Sequence, residues 1–236
     1  MGIVRMLALG LSAATLTAYT PAATSQDPGS EQNELSVTMV GNAGVILTDG
    51  ATSLLVDLPY ESGAHGYMTY EPAALHPPGA VTSIITHHHT DHFDPALFLE
   101  RDAWRILGPP SVTRGLPSTR VVEGDSVRLS GFEVVVVPTP HTPDHRSYRI
   151  RWGGHVLHFT GDTEDPARLH DGPAVDILFV TPWLSCAAGL DAESVARRRI
   201  AYHLNPRGTD RVCGEVEILP QGASFLIEAA PRTPAP

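Results

Sequence analysis

Six consecutive residues carry the densest chemistry in the chain: His87-His88-His89-Thr90-Asp91-His92. Imidazole nitrogens and carboxylates are the ligands that borderline cations such as Zn²⁺ prefer. Alternate histidines, His87 and His89, can reach one ion together. The Asp91-His92 pair can turn toward a second. The internal position and the embedded aspartate exclude a purification tag, and His88 reads as a packing or hydrogen-bonding residue. Three more positions offer the same donor types at the ends of strand-like runs: His141, Asp162 and His203. Taken singly each has a plainer reading. His141 competes with His145, Asp162 in Gly-Asp-Thr suits a turn, and His203 suits a surface. Asp57 alone is a strand-end aspartate.

The elements around these residues can be read from period and punctuation. Residues 81–86 are a short β-branched run, as a buried strand requires, and they lead directly into the histidine cluster. Asp94-Pro95 then opens a short helix, the aspartate capping and the proline at the first helical position. Upstream, residues 35–40, 43–47 and 53–58 read as strands, the last two around the turn Thr48-Asp49-Gly50. Downstream strands are expected at 106–107, 120–122, 126–129, 132–137, 148–152, 156–159 and 177–180. Residues 191–199 read as a helix, with Asp191 as cap and three arginines at its end, an order favourable to the helix dipole. A last strand pair is expected over 212–218 and 224–227. The long segment 60–78, rich in Gly, Pro, His and Tyr, reads as a functional loop. In it Tyr60, His65 and Tyr67 are candidates to line a pocket or assist a leaving group, as is Tyr148 further on. Hairpin-joined strands interrupted by helices exclude a purely parallel sheet. The expected architecture is α/β, a four-layer αββα sandwich of two mixed β-sheets flanked by helices.

Composition narrows the function. The 236 residues suit a single domain. The chain contains no lysine, which removes Schiff-base and P-loop chemistry. With 16 basic against 26 acidic residues and a net charge of −10, it is a poor match for nucleic acid. The N-terminal residues 1–23 read as a signal peptide: Arg5, then a small-residue apolar run over 6–18 too short to span a bilayer. Residues 24–34 read as a polar, disordered lead-in, and 35–230 as the folded domain. No membrane association is expected for the mature chain, and its expected location is periplasmic or secreted. Export would place Cys186 and Cys213 in an oxidising compartment, where they either pair or remain free. The oligomeric state is left open.

THHHTDH resembles the signature of the metallo-β-lactamase superfamily. Four other stretches agree with it in order and context: VDLP at Asp57, VPTPH at His141, HFTGDTED at Asp162 and IAYHLNP at His203. GNAGVIL and DILFVTPWL resemble a small single-domain hydrolase branch. The resemblance implies that His87, His89 and His141 hold one metal, that Asp91, His92 and His203 hold a second, and that Asp162 bridges the two. It also implies that Asp57 orients the histidine loop from behind. Two zinc ions are the expected cofactors, although the ligand types also suit iron or manganese. The implied activity is hydrolysis by a metal-bound hydroxide, with Asp91 as the catalytic residue handling the proton, on a small ester, lactone, thioester or amide. Alternatives are a phosphodiesterase or nuclease, a β-lactam hydrolase, or a metal-binding protein without catalysis. One departure stands out: Asn42 occupies a position where related branches often carry histidine.

Overall fold

The computed structural model describes residues 33–187 and 192–231. The expected signal peptide, the first nine residues of the expected lead-in and Asp191 lie outside the described residues.

Among the described residues, two mixed sheets form the fold. The first has six strands: β1 (Glu34–Gly41), β2 (Gly44–Thr48), β3 (Thr52–Val56), β4 (Ala80–Ile84), β5 (Arg105–Leu107) and β13 (Ser224–Glu228). Their order is β13-β1-β2-β3-β4-β5, antiparallel as far as β3 and parallel beyond it. The second sheet has seven strands: β6 (Ser126–Leu129), β7 (Phe132–Pro138), β8 (Arg146–Trp152), β9 (His155–Phe159), β10 (Val175–Val180), β11 (Ala196–Ala201) and β12 (Glu217–Ile218). Its order is β12-β11-β10-β9-β8-β7-β6. Pairing is antiparallel from β6 to β9 and parallel from β9 to β12.

The alternation in the sequence explains the layers. Val37, Met39 and Leu47 of the first sheet face Val134, Ile150, Phe159 and Phe179 of the second, forming a shared apolar core. The outer face of the first sheet packs Leu55, Val81 and Ile106 against Phe98 and Val112. Those two residues come from α1 (Pro95–Leu99) and α2 (Pro110–Thr113). The outer face of the second sheet packs Val156 and Leu178 against Leu184 and Val195. These belong to α3 (Pro182–Ser185) and α4 (Ala192–Val195). The αββα order is therefore present, with helical layers of only one turn or so. Among the described residues no helix is long and apolar enough to cross a membrane.

Three sequence expectations need correction. The helix over 191–199 is only α4; the arginines that were to end it lie in β11, between β10 and β12. Other strands supply their partners: Arg197 pairs with Asp176 at 3.1 Å and Arg198 with Glu217 at 2.8 Å. The expected terminal strand pair does not form, because β12 joins the second sheet and β13 the first. The strand expected over 120–122 is reduced to a single bridge between Val121 and Ile106. The two cysteines do pair, as a Cys186–Cys213 disulfide.

Candidate metal centre

Each donor predicted from the sequence sits just past the C-terminal end of a strand. Asp57 follows β3, His87 to His92 follow β4, His141 follows β7, Asp162 follows β9 and His203 follows β11. Strand ends from both sheets thus meet at one edge of the sandwich.

The seven expected donors converge there. His87 Nε2 lies 2.9 Å from His89 Nδ1, and His87, His89 and His141 form one compact group. Asp91, His92 and His203 form another, with Asp91 Oδ2 at 3.2 Å and 3.7 Å from the Nε2 atoms of His203 and His92. Asp162 Oδ2 stands between the groups. It is 3.3 Å from His92 Nε2, 3.4 Å from His203 Nε2, 3.8 Å from His141 Nε2 and 3.9 Å from His87 Nε2. His88 is exposed and belongs to neither group.

Hydrogen bonds fix which ring nitrogens face the cluster. Asp57 is fully buried and can only accept as a carboxylate. It accepts from Thr86 N at 2.7 Å, from the Thr86 hydroxyl at 3.0 Å and from His92 Nδ1 at 3.0 Å. His92 therefore turns Nε2 inward. The Thr86 hydroxyl donates its hydrogen bond to Asp57, so His87 Nδ1 donates to Thr86 Oγ1 at 3.0 Å and its Nε2 also points inward. His145, a competitor of His141 in the sequence, has a different place. It accepts from Asp162 N through Nε2 at 3.1 Å, and its Nδ1 then donates to Thr139 Oγ1 at 2.9 Å. A relay from Thr139 to Ser147 and on to the Thr160 carbonyl completes that support.

Charge follows from the same surroundings. Burial penalises the Asp162 carboxylate, yet His92 and His203 outweigh it and hold the group well below the usual range. Asp91 is lowered too, against its burial, by the hydrogen bond from His203 and the charge of His92. Burial works against protonation of His92, but Asp162 and then Asp57 raise it well above its ordinary value. His87 moves the other way: burial, with His92 adding to it, keeps it neutral.

The donor set fits a pair of cations. Ring nitrogens of the cluster approach to 2.9 Å between His87 and His89 and to 3.1 Å between His203 and His92, separations at which lone pairs repel unless a proton or a cation lies between them. Asp162 Oδ1 and His203 Nδ1 are buried without hydrogen-bond partners, a costly state in a protein interior.

Two of the four pocket candidates drop out. Tyr148 is buried and donates to the Ile85 carbonyl at 2.8 Å. Tyr60 is buried and donates to the Met68 carbonyl at 2.9 Å. Tyr67 and His65 do reach the site. The Tyr67 ring meets His203 edge-on at 4.3 Å, and His65 Nε2 lies 3.9 Å from Asp91 Oδ1. Burial, then the Asp162 and Asp91 charges, raise the Tyr67 phenol, so it remains a donor. Trp183 of α3 flanks His203 at 5.2 Å. A cleft of about 440 Å³ lined by Pro140, His141, Glu164 and Asp165 opens beside His141. A larger one, about 600 Å³, lies around Gly153 and Gly154, at the opposite end of the β8–β9 hairpin from Asp162.

Solved structures share this arrangement of strands. The metallo-β-lactamase fold protein YhfI from Bacillus subtilis superposes with a TM-score of 0.63 at 19% identity, covering 82% of this chain and 99% of that one. This is the metallo-β-lactamase fold. A metallo hydrolase from the archaeon Ignicoccus hospitalis, Igni18, superposes with a TM-score of 0.59 at 15% identity, over 83% of this chain and 99% of that one. Among curated proteins, a hydroxyacylglutathione hydrolase from Chelativorans sp. is 34% identical over 131 residues, 52% of this chain and 48% of the relative. The chain thus spans between about a third and a half of the length of the curated relatives it matches. No family model matches it.

Proposed function

We propose that this metallo-β-lactamase-fold chain is a metal-dependent hydrolase that holds two zinc ions and cleaves a small ester, lactone, thioester or amide. One observation carries the reading: Asp162 Oδ2 stands within 3.3–3.9 Å of four imidazole nitrogens drawn from three separate loops. His87, His89 and His141 would hold the first ion, Asp91, His92 and His203 the second, and Asp162 both. When bound, such a pair supplies Lewis acidity, both toward water and toward an electrophilic oxygen.

The chain's own residues provide the rest. Asp91 is held as a carboxylate by His203 and His92, which leaves it free to accept a hydrogen bond from an attacking water and orient it; in the proposed reaction it also takes the water's proton. Asp57 and Thr86 lock the rings of His92 and His87 in one tautomer, so no reorientation is needed on binding. Tyr67, at the edge of His203, is a protonated donor at the rim of the site. The name of the Chelativorans relative supports a thioester among the candidate substrates. No observation favours a phosphodiesterase: the arginine run lies in β11, with Arg197 and Arg198 already paired to acids. The disulfide supports an exported location, since such bonds persist in oxidising compartments.

The test is a hydrolysis screen of the zinc-loaded protein over lactones, thioesters, β-lactams and phosphodiesters, with metal content measured in parallel. We expect about two zinc per chain and turnover of at least one carbonyl substrate, lost in His89→Ala. A chain that retains at most one zinc, or a His89→Ala variant with unchanged rate, overturns the proposal.

A further inference from the structure

Asn42 is the departure from the family pattern that the metal donors leave unexplained. It lies in the β1–β2 turn, buried, with φ at +49°. Two hydrogen bonds tie that turn to the site. Asn42 Nδ2 donates to the Asp91 carbonyl at 2.7 Å. The Asn42 carbonyl accepts from His203 N at 2.8 Å. Asp91 follows a strand of the first sheet and His203 a strand of the second. One residue therefore clamps the backbones of two donors that the chain delivers from opposite layers.

We propose that Asn42 is a positioning residue for the second metal ion, setting Asp91 Oδ2 and His203 Nε2 at their 3.2 Å separation. The inference rests on the two-ion reading of the site. His203 itself has φ at +57°, a conformation that histidine adopts only when its surroundings hold it there. The bond from its N–H to Asn42 is such a restraint. The residue type at 42 is also constrained. A positive φ favours Gly, Asn, Asp or His, and of these only Asn and His carry an N–H donor on the side chain. The amide orientation is forced as well: turned over, it would set Oδ1 against the Asp91 carbonyl oxygen. As it stands, Oδ1 is the atom left without a partner.

Two variants remove the side-chain bond to Asp91 and leave the backbone bond to His203 in place. Asn42→Asp keeps the shape but replaces the donor with an oxygen facing Asp91. Asn42→Gly keeps the left-handed turn and the bond to His203 but removes the side-chain clamp. The full chain is titrated with zinc against a chromophoric chelator, and folding is followed by circular dichroism. Wild type is expected to bind two zinc. Both variants should keep the first ion at wild-type affinity and bind the second roughly ten- to a hundredfold more weakly, as when other supports behind metal ligands are removed. A merely structural role would weaken both ions together, and that outcome overturns the inference. So does a second ion bound at wild-type affinity in both variants. Failure of Asn42→Gly to fold also counts against it, since the residue would then serve the turn and not the site. Fewer than two zinc in wild type is a separate failure, of the two-ion reading itself.

Discussion

Asp57 Oδ2 lies 3.0 Å from His92 Nδ1, and neither side chain reaches solvent. The same carboxylate also takes the N–H and hydroxyl of Thr86, so three donors converge on one buried anion. Asp57→Asn would turn an amide N–H₂ toward one of those donors and remove the charge. We expect a stability loss of about 2–4 kcal/mol in the metal-free protein, read from the urea midpoint. Zinc should bind roughly ten- to a hundredfold more weakly in a competition titration. Wild-type values in both measurements would remove Asp57 from the support of the site.

Gly161 has φ at +59°, and a Cβ there would lie 2.8 Å from His145 Cε1 and 3.0 Å from Thr86 Cβ. These neighbours are the supports of Asp162 and His87, so neither can yield without moving a donor. Gly161→Ala combines left-handed strain with overpacking. It should cost about 2–4 kcal/mol of stability, seen as a lower melting temperature. A melting temperature equal to wild type would show that the β9–Asp162 turn is looser than its packing indicates.

The histidine loop and the strand-end donors were legible in the sequence because donor type and local position both point the same way. The two sheets were legible because their strands alternate. The arginine run was misread for a physical reason. Three consecutive arginines carry no period, and what makes them strand residues is the backbone pairing of β11 between β10 and β12, with Asp176 and Glu217 as the acids that the Arg197 and Arg198 side chains meet there. Those partners are set by topology, not by neighbours in the chain. Asn42 left a faint trace, a Gly-Asn-Ala-Gly turn between strands where asparagine tolerates a positive φ. His145 left none: its role behind Asp162 exists only once β7, β8 and β9 are packed.

His158 on β9 is buried on the outer side of the second sheet, with Nε2 unpartnered. Burial, with the charge of Arg149 opposite it, pushes it down to about 3. A histidine kept neutral by the fold gains its proton only on unfolding, so its effect appears as acid destabilisation. The stability is intact above the unfolded value of about 6.5 and declines as pH falls from there toward the folded value. The slope is about 1.4 kcal/mol per pH unit for one such group. His158→Leu should flatten the acid limb by that amount, measured as urea stability between neutral and mildly acidic pH. His87 and His145 are shared by both proteins and cancel in the comparison. Parallel limbs would show that His158 reaches solvent before the fold opens.

Zinc should stabilise the fold, and magnesium should not. In the metal-free protein the inward nitrogens crowd one another, and Asp162 Oδ1 and His203 Nδ1 are buried without partners. A cation that accepts nitrogen and oxygen donors together relieves that crowding, whereas magnesium prefers a full oxygen shell and dehydrates reluctantly. At a free zinc concentration one hundred times the dissociation constant, each ion adds about 2.7 kcal/mol. His89→Ala deletes a proposed first-ion donor that is partly open to solvent and leaves Asp91, His92 and His203 in place. Its zinc-induced gain should therefore fall to about half, in a thermal melt repeated over zinc concentration. An equal gain with magnesium, or none with zinc, would mean that the convergence of these donors serves something other than a transition metal.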